Sequence, residues 1–239
     1  MSIEQNIRLV EIKIAAACER SGRRREEVNV IAVTKYVSLE RTKEAFGSGL
    51  AHLGENRWQD AQEKWFALNG EGQPDEAGKP VWHFIGSLQT NKAKDVIGRF
   101  TYIHSLDRLS LAEAIHKRAA QLGIVVPCFI QVNVSGEESK HGMSPENVMP
   151  FLEQINGLTS IKPIGLMTMA PYEAEPEDTR TVFRALRELR DCLRSESPQG
   201  SQIEHLSMGM SNDFEVAIEE GATWIRLGTI LVGKEEEEQ

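Results

Sequence analysis

The stretch VNVIAVTKYVSLERTKEAFGSGLAHLGENRWQDAQEKWFALNG (Val28–Gly70) contains one pattern twice. A short apolar, β-branched run is followed each time by a longer segment whose apolar residues recur at helical spacing. Val28–Thr34 reads as a strand, Ser38 as the N-cap of the helix behind it, and His52–Glu55 as a second strand. Strands that alternate with helices in this way build a parallel sheet with the helices laid over it.

Outward from this stretch the pattern continues. Strands are expected at Val81–Ile85, Tyr102–His104, Pro127–Val134, Pro163–Met169, Ile203–Leu206 and Trp224–Leu227, each but the last followed by a helix. Asp107, Ser144 and Ser211 sit where further N-caps belong, with Glu215 behind Ser211 to support its first turn. An amphipathic helix over about Ile3–Arg20 comes before the first strand. Eight such units predict an α/β fold, a single (β/α)8 TIM-type barrel over residues 1–239, and a barrel of this kind uses about 200 to 250 residues. The Gly- and Glu-rich loop Asn69–Lys79 and the acidic tail Lys234–Gln239 do not divide the chain, and only the βα pattern repeats, not the residues.

Composition excludes several classes. The 36 acidic against 27 basic residues give a net charge of -9, which disfavours nucleic acid as a partner, since phosphate backbones call for surplus Lys and Arg. Cys18, Cys128 and Cys192 are odd in number and widely spaced, so neither a disulfide framework nor a metal site is expected. The N-terminus carries charges throughout and no run approaches the roughly 18 apolar residues of a membrane span. A soluble, unprocessed, cytoplasmic protein is expected, and with no defensible apolar stripe for a dimer, a monomer.

In parallel barrels the reactive groups lie at the C-terminal ends of the strands, where the βα loops open. Lys35 closes the first strand, and an ammonium at the end of an apolar run either snorkels to solvent or serves as a Schiff-base lysine, a partly desolvated amine that condenses with an aldehyde. The second reading needs an anion site opposite. Barrels often bind phosphate in the loops after strands seven and eight, and the chain offers LSMGMSND and RLGT there. Ser207, Gly209 and Ser211 supply hydroxyls and flexible backbone; Gly228 and Thr229 supply an N–H and a hydroxyl. Either loop alone reads as an ordinary turn, and it is their joint placement that supports the phosphate reading.

Arg226 shares a strand face with Gly228. It stands either beside a bound pyridine ring, keeping the ring nitrogen unprotonated, or paired with a barrel carboxylate such as Glu55. Asn56, at the end of the second strand, reads as a hydrogen-bonding partner for the ring or as a helix cap, and ranks above His83, which reads as a satisfied core histidine. Lys140, in SGEESKHGMS, either relays a ligand or faces water.

These segments, together with WHFIGSLQTNKAKDV (Trp82–Val96), IAVTK, GEN and ESKHGM, resemble the pyridoxal phosphate (PLP) homeostasis protein family, also called the proline synthase co-transcribed family, over nearly the whole chain. Tyr36, Val37 and the acidic tail depart from the typical pattern. The resemblance implies a fold like the N-terminal barrel domain of alanine racemase, PLP on Lys35, Arg226 beside the pyridine nitrogen, and a role in maintaining PLP supply with no established catalytic reaction. The candidate cofactor-binding set is Lys35, Asn56, Ser207, Met210, Ser211, Arg226, Gly228 and Thr229.

A two-base racemase needs a second acid/base on the far face of its substrate, and only a few residues follow the eighth strand to supply one. An open site suits exchange of PLP with PLP-dependent apoenzymes better than carbanion chemistry. A single-domain PLP enzyme such as a low-activity amino-acid racemase is the alternative, and a barrel for some other phosphorylated ligand is the third.

Overall fold

The computed structural model describes residues 2–70, 77–137, 141–171 and 173–233. Eight strands close into a barrel in chain order: β1 (Asn29–Val33), β2 (His52–Glu55), β3 (Val81–Phe84), β4 (Tyr102–Leu106), β5 (Val126–Gln131), β6 (Ile161–Met167), β7 (His205–Ser207) and β8 (Trp224–Leu227). Every neighbouring pair is parallel, including β1 with β8, where Ile31 stands opposite Arg226. The expected strands are all present, and β2 and β8 match the expected bounds.

The helices are α1 (Ile3–Arg20), α2 (Leu39–Gly47), α3 (Trp58–Asn69), α4 (Ala93–Val96), α5 (Leu109–Leu122), α6 (Val148–Ile155), α7 (Arg180–Glu196), α8 (Phe214–Glu219) and α9 (Thr229–Val232). The last strand is followed by a helix after all: α9 is one short turn that starts at Thr229. α1 buries Ile3, Val10, Ile14 and Ala17 against α8 and α9, whose shortness leaves that flank of the barrel to be covered. Ser2 and Gln5 cap it reciprocally, at 3.2 and 3.1 Å.

Ser38 caps α2 as expected, its hydroxyl accepting the Arg41 N–H. The other three expected caps differ. Arg108, not Asp107, precedes α5, and Ser144 precedes a 3-10 turn (Pro145–Asn147) that leads into α6. Ser211 lies in the turn two residues upstream of Asp213, which is the residue that opens α8. Backbone spacing alone does not separate a helix from the tight turn that feeds it. Most of the loop between α3 and β3, Lys140 and the acidic tail lie outside the described residues.

Apolar residues fill two layers. One lies between sheet and helices; the other fills the barrel interior with Ile31, Phe129, Met167 and Trp224, and Tyr102 packs against it. Alternation along each strand sorts the rest: His83, His104, Ser207 and Arg226 share the interior face, while Glu55 turns outward toward α3. Gly86, just past β3, lets that loop approach Asn56: an added Cβ would lie 2.3 Å from the Asn56 carbonyl oxygen and 2.8 Å from its Cα. Gly86→Ala is expected to cost about 1–3 kcal/mol, read as a lower urea midpoint. Gly157→Ala, where an added Cβ meets nothing within 4 Å, should leave the midpoint nearly unchanged.

Candidate functional site

The mouth of the barrel is built on the end of β1. Thr34 continues the ladder by donating its N–H to Gly54 O at 3.0 Å, and Lys35 follows, half-buried, its ammonium 4.7 Å from the centre of the exposed Tyr36 ring. The backbone before Lys35 is clamped from the outer side of the sheet. Lys64 of α3 donates to Thr34 O at 2.6 Å and to Glu55 Oε1 at 3.0 Å, and the Thr34 hydroxyl donates to the same carboxylate oxygen at 2.7 Å. Glu55 is fully buried and Lys64 nearly so; burial holds the Glu55 carboxyl above its ordinary range, against the downward pull of Lys64. An ion pair with so little solvent contributes modestly when intact and costs much when broken.

Arg226 stands in the interior below this level. Its Nη1 donates to Ser207 Oγ at 2.7 Å, its Nη2 to Thr168 O at 3.1 Å, and its backbone N–H to Gly209 O at 3.0 Å. Glu55 lies on the opposite face of the sheet, paired with Lys64, so an Arg226–Glu55 pair is excluded by strand alternation. Burial lowers the Arg226 pKa to about 10, with the Asp213 carboxylate acting the other way. The guanidinium therefore stays charged near neutrality.

The loop after β7 folds tightly. Gly209 has φ +92, and a Cβ there would lie 2.5 Å from Ala217 Cβ, so the chain can run against α8 only with glycine. Asp213 takes the Met210 N–H at 2.6 Å, and Met210 O accepts from Asp213 and Phe214. Met210 can thus line the mouth with its half-buried side chain but has no backbone donor to offer a ligand. Ser211 and Gly228 are half-buried and Thr229 is exposed, on two adjacent loops. Among the described residues, their backbone N–H groups donate to no carbonyl. Asn56, half-buried at the end of β2, has a buried side-chain oxygen with no hydrogen-bond partner.

Ser207 is fully buried and its hydroxyl is engaged by Arg226 and by His104 Nδ1 at 2.9 Å, so it supports the guanidinium. His83 is the satisfied core histidine expected of it, bonded to His52 at 3.0 Å and to His104 at 3.0 Å. What the sequence reading missed is that His52, His83 and His104 lie on three consecutive strands of a barrel wound in chain order, which makes them neighbours on one face. Lys64 was equally missed, because an acidic residue at a strand end and a lysine on the next helix look solvated until both are buried.

A family model for the alanine racemase N-terminal domain matches residues 9–236. The pyridoxal phosphate homeostasis protein of Aquifex aeolicus (strain VF5) is 47% identical over 222 residues, 93% of each chain. This chain belongs to the pyridoxal phosphate homeostasis protein family. The family's Pseudomonas aeruginosa member is 38% identical over 97% of this chain and 95% of its own length. Among solved structures, PipY of Synechococcus elongatus PCC7942 with PLP bound superposes with a TM-score of 0.83 at 33% identity, covering 97% of this chain and all of that one. Alanine racemase of Clostridium difficile 630, at 18% identity and a TM-score of 0.71, shares the fold, with 61% of its chain covered.

Two stability tests follow from the buried polar groups. Lys64→Met is expected to cost about 3–5 kcal/mol in denaturant unfolding because it strands Glu55, and Lys64→Met with Glu55→Leu should recover most of that loss. Burial pulls His83 and His104 well below the ordinary value of 6.5, so the folded core keeps both neutral. Below about pH 6.5 the unfolded chain takes up protons that the folded one does not, and stability falls with acidification by up to about 1.4 kcal/mol per pH unit for each imidazole. Between pH 6.5 and 5.5 the unfolding free energy of His104→Gln should therefore fall less steeply than that of the wild type.

Proposed function

We propose that this chain, as one barrel spanning residues 1–239, holds PLP reversibly at its mouth, bound covalently through the Lys35 amine, and serves to maintain cofactor supply. The observation that carries the reading is the pairing of a half-buried Lys35 at the mouth, next to the clamped Thr34, with a buried, charged Arg226 beneath it. When bound, PLP supplies an aldehyde that condenses with a primary amine and a pyridine ring able to accept electrons.

The residues present fit that group. Lys35 provides the amine. Ser211, Gly228 and Thr229 provide hydroxyls and N–H groups for the phosphate on two adjacent loops, and Asn56 brings an amide whose buried oxygen lacks a partner. Arg226 would face the ring nitrogen as a pure donor that remains charged at neutral pH. A cation there keeps the nitrogen unprotonated and the ring a weak electron sink, which suits storage and hand-over better than carbanion chemistry.

PLP-dependent apoenzymes are the proposed recipients, and the proposed acting form is a cytoplasmic monomer. Among the described residues no helix is long and apolar enough to cross a membrane, and the large exposed apolar residues include Leu9 and Ile12 on α1, Phe66 on α3 and Val125 just before β5.

Purified protein mixed with PLP should develop a visible absorption band, and borohydride should fix the cofactor to the peptide that carries Lys35. Lys35→Ala should do neither. A band that persists in Lys35→Ala overturns the site. Turnover of an amino acid well above that of free PLP, lost in Lys35→Ala, would replace the carrier reading with an enzymatic one.

A further inference from the structure

Five polar side chains on five strands form one unbroken line through the barrel interior. His52 Nδ1 meets His83 Nε2 at 3.0 Å, His83 Nδ1 meets His104 Nε2 at 3.0 Å, His104 Nδ1 meets Ser207 Oγ at 2.9 Å, and Arg226 Nη1 meets Ser207 Oγ at 2.7 Å. His83, His104 and Ser207 are fully buried and Arg226 is 4% exposed, so the line is shielded from solvent along most of its length. The outer end, His52, is half-buried at the first residue of β2, at the end of the barrel opposite the mouth. It lines a cavity of about 270 Å3 together with Glu11, Arg25 and Ser48.

The donors can be counted from one end. A guanidinium only donates, so Ser207 Oγ accepts from Arg226. The Ser207 proton then needs an acceptor, and among the described residues its one remaining contact is His104 Nδ1. With Nδ1 bare, a neutral His104 carries its proton on Nε2 and donates to His83 Nδ1; His83 in turn carries its proton on Nε2 and donates to His52 Nδ1. The opposite polarity leaves the Ser207 hydroxyl proton buried with no partner. Protonating His83 would set its Nδ1–H against the His104 Nε2–H, and protonating His104 would set its Nδ1–H against the Ser207 hydroxyl proton, beside the Arg226 charge.

Packing fixes the rings that carry this order. His83 stacks on Tyr102 at 4.7 Å and 9°, His104 stacks on Phe129 at 4.2 Å and 15°, and His52 meets Trp224 edge-on at 5.0 Å. Burial, which disfavours the cationic form of both His83 and His104, acts in the same sense.

We propose that His104, His83 and His52 form a one-way hydrogen-bond relay, each protonated on Nε2, that commits the Ser207 proton to His104 and so reserves the Ser207 lone pairs for Arg226. The three histidines are positioning residues for the guanidinium, and through it for the ring of a bound cofactor. This last step rests on the PLP reading above; the tautomer order does not.

The test uses the full chain in two arms. Long-range proton–nitrogen correlation of the histidine rings in PLP-free protein should show His83 and His104 neutral, with Nε2 protonated and Nδ1 bare, from pH 6 to 8. In the second arm PLP is titrated into wild type, His104→Phe, which removes the acceptor for Ser207, and His104→Asn, which returns an acceptor near the Nδ1 position. His104→Phe should hold PLP about fivefold less tightly, the equivalent of one lost hydrogen bond, and His104→Asn should recover most of that. A proton on His104 Nδ1, a cationic His83 or His104 in that pH range, or unchanged PLP affinity in a folded His104→Phe would overturn the relay. Failure of wild type to bind PLP at all would instead overturn the cofactor reading and leave the tautomer result standing.

Discussion

A guanidinium in the middle of a closed parallel barrel is the constraint to which the rest of this structure is fitted. Arg226 is nearly without solvent, and a buried charge survives only where its donors are met. The protein meets them with a hydroxyl from β7 and a carbonyl just past β6, and backs the hydroxyl with histidines from β4, β3 and β2. The barrel interior is therefore part apolar cluster and part polar line, and the two meet where Phe129 stacks on His104 and Trp224 packs against His52 and His83.

The second buried charge serves a different end. Lys64 and Glu55 lie outside the sheet, and what they fix is the carbonyl and hydroxyl of Thr34, the residue before Lys35. Arg226 is thus held from within the barrel, while Thr34, the residue before Lys35, is held from the helix layer. A lysine at a strand end above a fixed cation is the arrangement on which the proposed PLP site rests.

Much of this was legible in the sequence because its signals are local. Apolar runs at regular intervals gave eight strands, and the period of two put Arg226 and Gly228 on one face. Lys35 could be placed at the mouth by the same logic. What was not legible depends on contacts across the fold. Ser207 looked like a phosphate ligand because it opens a Gly/Ser loop, yet its strand position turns the hydroxyl inward to Arg226. Ser211 looked like a helix cap, but Asp213 opens α8 and folds back on the Met210 N–H. The Arg226–Glu55 alternative failed by a single step of strand alternation. The histidines could have been grouped from sequence only by combining strand order with face, since each alone is an ordinary core residue.

The central claim is that a bound PLP ring lies with its nitrogen against a charged Arg226. The most direct measurement is the nitrogen-15 chemical shift of ring-labelled PLP bound to the full chain at neutral pH. An unprotonated nitrogen in wild type that becomes protonated in Arg226→Glu is the predicted result. A protonated nitrogen in wild type, or a shift that ignores the substitution while PLP remains bound, would contradict it.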